Sequence, residues 1–230
     1  HHSMQHNFRQ IDPNQVEILL VEGQYRLLPN YPAHLSGYTE RKLADLGVNV
    51  RKNTRVINIR PGSIRMQNGE QIEEYTCRTV LWAAGIQASG MGAILADHTG
   101  CELDQFGRVY VEPDLSLPGQ PDIFVIGDLA NFSHQSGEPL PGIAPVAMQQ
   151  GRYVSRLIQK RLRAETTRPF RYRNKGNLAV IGPNSAVADF NFLRLSGFLA
   201  WILWIFVHIA YLIGFDNKLL VLFKWAWNYF

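Results

Sequence analysis

Between residues 16 and 59 the sequence switches from one hydrophobic period to another and back, and this alternation restricts the fold more than any other feature of the chain. Val16-Glu17-Ile18-Leu19-Leu20-Val21 is a short apolar run rich in branched residues that stops at Glu22-Gly23, the pattern of a buried parallel strand. From Pro32 to Leu46, Leu35, Leu43 and Leu46 recur among polar residues as in an amphipathic helix, and Gly47 ends the stretch. Strand character resumes from Val48 to Ile59. Strand, helix, strand is the unit from which doubly wound sheets are built, so an α/β fold is expected.

Downstream, Ser63 to Gln67 alternates, Asn68-Gly69 offers a two-residue turn, and Gln71 to Tyr75 returns as the second arm of a hairpin. Thr79-Val80-Leu81-Trp82-Ala83-Ala84-Gly85 reads as a buried strand ending in small residues, and Met91 to Ala96 as a helix. Val109 to Val111 and Asp122 to Ile126 are short strands, the latter opening into Gly127-Asp128. After a loop punctuated by proline (Pro139 to Pro145), a helix is expected from Val146 to about Arg163. Phe170 to Asp189 reads as short strands, clearest at Leu178 to Gly182.

Four places carry residue types suited to binding a nucleotide. Glu22 closes a parallel strand, where a carboxylate accepts hydrogen bonds from ribose hydroxyls and repels a 2′-phosphate; it fits equally a surface residue opening a loop. Ala84 and Gly85 leave no side chain in the way, so a flat ring can approach the backbone. Gly127 lets the backbone come close to a phosphate or sugar chain and Asp128 can accept from hydroxyls, although Gly-Asp also serves as a plain turn. Ala144 to Gly151 opens a helix, whose first turn has free N–H groups and a positive dipole end. The glycine fingerprint that should precede Glu22 is absent.

Composition sharpens the picture at the end of the chain. Charged residues are 18% of the total and hydrophobic ones 46%, with aromatics concentrated in the last forty positions. Leu195 to Phe215 is an apolar run whose one potentially charged member is His208, and Leu219 to Phe230 is a second, with Trp225, Trp227 and Tyr229. By length the first run could cross a bilayer, at about 1.5 Å per residue against roughly 30 Å. Ahead of it nine basic residues lie between Arg152 and Lys175, and the formal net charge is +4. Next to an apolar tail this favours contact with anionic lipid over nucleic acid, for which no recognition module is visible. Two cysteines, Cys77 and Cys101, make neither a disulfide framework nor a metal site. Met4, Phe8 and Ile11 keep helical spacing, so the start reads as a helix cut midway and the chain as truncated at its amino end.

In order along the chain, Glu22, the Asn68-Gly69 hairpin, Trp82-Ala83-Ala84-Gly85, Gly127-Asp128, Ala144 to Gly151 and Lys175-Gly176-Asn177-Leu178-Ala179-Val180-Ile181-Gly182 resemble the type II (non-proton-pumping) NADH:quinone oxidoreductases, and within them the cyanobacterial and plastid branch. The resemblance implies a two-Rossmann flavoprotein fold binding FAD and NAD. Residues 1–83 would be the second half of the NADH-binding domain, 84–165 the later part of the FAD domain, and 166–230 a carboxy-terminal domain with membrane-anchoring helices. It implies that Gly127 and Asp128 hold the FAD ribityl–pyrophosphate region, that Ala147 lies near the isoalloxazine, and that Ala84 and Gly85 lie near the nicotinamide. Gln149 matches the second glutamine of the family's quinone-side Ala-Gln-x-Ala-x-Gln pattern, whose first glutamine is Pro145 here, and the resemblance implies that Lys175 would be a charge at the quinone channel. The tail would lie in one leaflet on the cytoplasmic face of a thylakoid or plasma membrane, and the protein would be a homodimer. Two other readings compete: a sulfide:quinone oxidoreductase or related flavoprotein reductase, which would need redox cysteines at the flavin, and a non-catalytic membrane-anchored module.

Overall fold

The structure, a computed structural model, describes residues 16–85, 87–211, 217, 220, 221, 223 and 224. The expected helix around Met4, Phe8 and Ile11 and most of the second apolar stretch, Leu219 to Phe230, lie outside the described residues. The chain forms two compact units, one of residues 1–80 with 175–230 and one of residues 81–174. The sequence reading divides it after residues 83 and 165 instead.

In the first unit, β1 (Ile18–Val21) pairs in parallel with β2 (Val48–Arg51), Ile18 opposite Val48, across the helix α1 (Ala33–Asp45). Pro32 starts α1 with its fixed φ of −53°. β1 is less buried than expected: Ile18 and Leu20 are exposed while Leu19 and Val21 are partly covered. A parallel strand is buried on both faces only when helices cover both, and a single crossover helix covers one. The expected strand from Val48 to Ile59 is broken at Asn53, which takes a φ of +53°. Beyond it the chain joins an antiparallel meander of β3 (Arg55–Arg60), β4 (Ser63–Asn68) and β5 (Gln71–Thr76). Asn68 pairs with Gln71, so the hairpin loop is Gly69-Glu70, one residue later than expected. Gly69 has φ +58° and Glu70 is not left-handed, as a turn with glycine in the first loop position demands.

The second unit opens with a departure. Thr79 to Gly85 forms no strand, and Leu81 is 89% exposed. A central parallel strand exists only through its neighbours, and none of the described residues pairs with this segment. Helix α2 (Met91–Thr99) ends on Gly100 at φ +72°. Then β6 (Val109–Tyr110) pairs in parallel with β9 (Ala130–Asn131), and β7 (Ser116–Leu117) pairs antiparallel with β8 (Gln120–Phe124). Helix α3 (Ala144–Arg161) turns Val146, Gln150, Val154 and Leu157 inward, a spacing of i, i+4, i+8 and i+11 that defines one buried stripe. The core gathers Val109, Leu115, Leu117, Val125, Phe132, Val146 and Val154 with Phe170 and Tyr172 from the segment after α3.

That segment forms no strand, although buried Phe170 and Tyr172 alternate with exposed Arg171 and Arg173 as along an extended chain. Side-chain amides complete its backbone instead. Gln135 donates to the Tyr172 carbonyl (3.1 Å) and accepts from its N–H (2.9 Å), and Gln149 makes the same two bonds, both 3.0 Å, with Arg173. Tyr153 donates its hydroxyl to the Arg168 carbonyl at 2.8 Å. An extended chain points successive peptide groups to opposite sides, so one glutamine serves each side.

Back in the first unit, β10 (Asn177–Gly182), β11 (Ser185–Asp189) and β12 (Arg194–Gly197) make an antiparallel sheet, followed by α4 (Phe198–Tyr211). β11 is buried on both faces. Ser185 meets the Tyr38 hydroxyl of α1 at 3.1 Å, whereas Ala186 and Ala188 pack with Ala200, Trp201 and Trp204 of α4. The expected apolar helix from Leu195 is therefore shorter: Leu195 to Gly197 belong to β12. The 14 residues of α4 reach about 21 Å, short of a bilayer core. Among the described residues no helix is long and apolar enough to cross a membrane.

Candidate functional site

The densest convergence of predicted site residues is at the start of α3. β8 ends at Phe124, Val125 is buried, and Gly127-Asp128-Leu129 coils into a single 3-10 turn. Gly127 sits at φ +70°, a region that L side chains avoid. A Cβ placed on it would stand 3.4 Å from the Ala147 Cβ, so the turn rests against the first turn of α3. Gly142, in the loop before α3, has the Asp128 carboxylate oxygen 3.3 Å from where its Cβ would be. Gly127, Asp128 and Ala147 thus form one cluster. The Asp128 side chain is exposed, and no hydrogen bond or ion pair among the described residues holds its carboxylate.

Sequence reasoning missed Gln150. It is 1% exposed in an otherwise apolar stripe, and its Oε1 accepts the Gly127 N–H at 2.6 Å. A polar side chain at a core position of an amphipathic helix was the available signal, since such a group is costly unless bonded. Gln149, one residue earlier, lies partly exposed on the flank of α3, held by Arg173 as described. Each of its amide atoms keeps one further bonding position.

The helix start is poorer in free donors than expected. Pro145 has no N–H, and Val146 and Ala147 both donate to the Ile143 carbonyl (3.0 and 3.3 Å). Ala144 alone keeps an open N–H in that turn, and no acidic side chain or side-chain cap competes for the dipole end. Ala84 and Gly85 are exposed, Gly85 at φ +76°, and no described contact joins them to the Asp128 cluster.

Glu22 and Lys175 belong to the first unit. Glu22 continues the parallel ladder, its N–H donating to the Arg51 carbonyl (2.8 Å) and its carbonyl accepting from Thr54 (3.0 Å). Its carboxylate Oε1 accepts the Gln24 N–H at 2.9 Å, which fixes the acid at the strand end and leaves the other oxygen open. Arg51 and Thr54 also line a cavity of about 350 Å³ against the meander, with Asn68, Gln71 and Glu73. Lys175 is exposed.

Electrostatics elsewhere in the second unit are structural. Burial pushes the Asp104 carboxyl up, but hydrogen bonds from Arg108, Phe106 and Asn131 outweigh it and hold the group below its usual range. Arg161, counted in the basic stretch, is tied down at the surface: it bonds Asp114 and the Pro121 carbonyl (2.6 Å each) and lies over the Phe124 ring. Arg152, Arg156, Arg171 and Arg173 remain exposed with no acidic partner among the described residues. Those residues hold no cluster of three or more metal-ligating side chains.

Comparison with known proteins gives a consistent result. A family model described as pyridine nucleotide-disulphide oxidoreductase matches residues 6–151, and one described as NDH2 C-terminal domain matches residues 174–230. The type II NADH:quinone oxidoreductase Ndh of Mycobacterium tuberculosis is 35% identical over 229 residues, covering 98% of this chain and 48% of that protein. A type II NADH:quinone oxidoreductase of Staphylococcus haemolyticus is 30% identical over 178 residues, 77% of this chain and 43% of its own. The chain thus spans about half the length of these curated relatives. Among solved structures, NDH2 from Plasmodium falciparum in complex with NADH superposes with a TM-score of 0.80 at 18% identity, over 94% of this chain and 58% of that one. The sulfide:quinone oxidoreductase of Aquifex aeolicus gives 0.64 at 14% identity, over 86% and 49%. At such identities the superpositions speak for the fold alone, an α/β architecture in keeping with the pyridine nucleotide-disulphide oxidoreductase model.

Proposed function

This chain belongs to the pyridine nucleotide-disulphide oxidoreductase family, and on that premise we propose that it is part of a flavin-dependent enzyme passing electrons from NADH to a membrane quinone. The observation that carries the reading is the cluster in which Gly127 and Asp128 are packed onto the opening turn of α3. The match of residues 174–230 to the NDH2 C-terminal domain supports this quinone reductase over a sulfide:quinone oxidoreductase, and the relatives of the type II class support it further.

FAD fits the residues present. Asp128 offers an unpartnered carboxylate to ribityl hydroxyls, and Gly127 and Gly142 keep the approach free of side chains. Ala147 and the open Ala144 N–H would face the isoalloxazine edge, where the helix dipole favours negative charge. The flavin supplies the hydride and electron chemistry, and the protein supplies orientation and field. Glu22 would hold the adenosine ribose of NADH and discourage a 2′-phosphate, with Ala84 and Gly85 near the nicotinamide. Gln149 would give its remaining N–H to a quinone carbonyl, with Arg173 fixing its orientation, and Lys175 would supply charge at the quinone entrance.

The tail would dock in one leaflet on the cytoplasmic face. Phe198, Leu199, Ile202 and Phe206 are exposed along one side of α4, opposite the side that packs on the sheet, and nothing polar interrupts them. The exposed arginines of α3 and of the segment after it suit anionic head groups. A homodimer and membership of the cyanobacterial branch remain part of the reading.

The test is direct. The full-length protein, purified in detergent, should carry a flavin absorbance and oxidise NADH only when a short-chain quinone is supplied. Absence of flavin, or flavin without quinone-dependent oxidation, would overturn the proposal.

A further inference from the structure

We propose that Gln150 is a positioning residue that sets where Asp128 stands relative to the first turn of α3, and so how tightly a flavin is held. This rests on the reading of that cluster as the flavin site. Three residues around it on the buried stripe of α3 are apolar (Val146, Val154 and Leu157), and Gln150 itself is 1% exposed. An amide in such surroundings persists because it is bonded, and its bond goes to a backbone donor of the turn, the Gly127 N–H at 2.6 Å, which joins the turn to the helix.

The consequence is geometric. Gly127 is left-handed, and its N–H is taken by Gln150 rather than left for a ligand. The neighbouring contacts are apolar and non-directional: Ala147 against Gly127, and the Ile126 side chain against Gly151. They keep the turn close to α3 but do not fix its rotation. The Gln150 bond does, and the residue whose direction it decides is the next one, Asp128. Ala144, Ala147 and Gln150 lie within two turns of one helix, so this bond ties the carboxylate to the open end of α3. The two groups proposed to grip opposite parts of a flavin then cannot drift apart.

The experiment uses the full-length protein. Gln150→Met keeps the length and removes the acceptor; Gln150→Glu keeps an acceptor oxygen. Val154→Ala, on the same stripe but without a bond to the turn, controls for loss of packing. Flavin dissociation constants are measured by fluorescence of released FAD, with thermal unfolding of each apoprotein alongside. The expected result is about tenfold weaker FAD binding in Gln150→Met, with most of the affinity restored in Gln150→Glu and unchanged in Val154→Ala. The flavin midpoint potential should shift in Gln150→Met alone. Equal loss of affinity in Gln150→Met and Val154→Ala, or none in either, overturns the inference while leaving the site reading intact. A wild-type protein that binds no FAD overturns the site reading and the inference together. If Gln150→Met does not fold, Gln150→Ala takes its place against Val154→Ala: a loss of affinity no larger in the first than in the second refutes the inference.

Discussion

Replacing Gln149 by alanine removes two hydrogen bonds at once, both to the backbone of Arg173 and both 3.0 Å long. The side chain is partly exposed, so each bond contributes at the lower end of the usual net range, and the pair is worth about 1–2 kcal/mol. For a chain of this size that corresponds to a fall of about 2–8 °C in Tm. Gln135→Ala removes an equivalent pair from Tyr172, at 3.1 and 2.9 Å, and should cost about the same. Because Arg171 and Arg173 lie on the loosened segment, limited trypsin digestion should cut there faster in both variants. Quinone kinetics separate the two residues: Gln149→Ala should also raise the KM for quinone, and Gln135→Ala should leave it alone. Unchanged melting and unchanged tryptic rates in both variants would refute the amide clamp. An equal effect of both on KM would remove Gln149 from the quinone side.

Other consequences follow from packing, charge and surface. Gly92→Ala adds a group favoured in helices by up to about 1 kcal/mol, yet its Cβ would lie 2.5 Å from the Gly107 carbonyl oxygen. Backbone cannot yield cheaply, so the net effect should be a loss of about 1–2 kcal/mol in denaturant unfolding, and a gain would contradict the structure. The Asp104 carboxyl is held below its ordinary value of 3.8, so its stabilisation is complete above that pH and disappears as pH falls through the lower folded value. Asp104→Asn should therefore be less stable at neutral pH and flatter across the acid limb, whereas parallel stability curves would show that the carboxylate contributes nothing. Phe206→Glu, on the 70% exposed outer side of α4, should leave melting unchanged and weaken sedimentation with anionic vesicles at least about tenfold. Undiminished vesicle binding would place the lipid contact elsewhere.

The sequence shows most where local chemistry decides. The βαβ rhythm, the meander, the long helix after Pro145 and the sheet around Leu178 to Gly182 all appear near their expected places, because periodicity and turn residues act over short range. It misleads where an element depends on partners. Thr79 to Gly85 has the composition of a central strand but no strand beside it among the described residues, and β1 is covered on one face only by them. Arg161 reads as one cation in a solvated run, yet only the fold brings Asp114 and Pro121 within its reach. Leu195 to Gly197 reads as part of an apolar helix because apolar composition does not distinguish a strand that packs from a helix that packs. At the site, Gly127, Asp128 and Ala147 are legible as types in order along the chain. Gln150 is not, because its role follows from which way a helix faces.

The burial of β11 on both sides has a consequence for how this protein can be altered. One surface of that strand supports α1, the helix that follows the Glu22 loop, and the other supports the apolar helix α4. The carboxy-terminal segment is therefore not an appendage that could be trimmed without cost to the rest of the unit. Removing residues beyond 174 would strip α1 of the strands it rests on, taking away the Ser185 partner of the Tyr38 hydroxyl and the Gly182 backbone that Leu46 lies against. Attempts at solubilisation should be directed to the outward stripe of α4, with its inner side kept as it is.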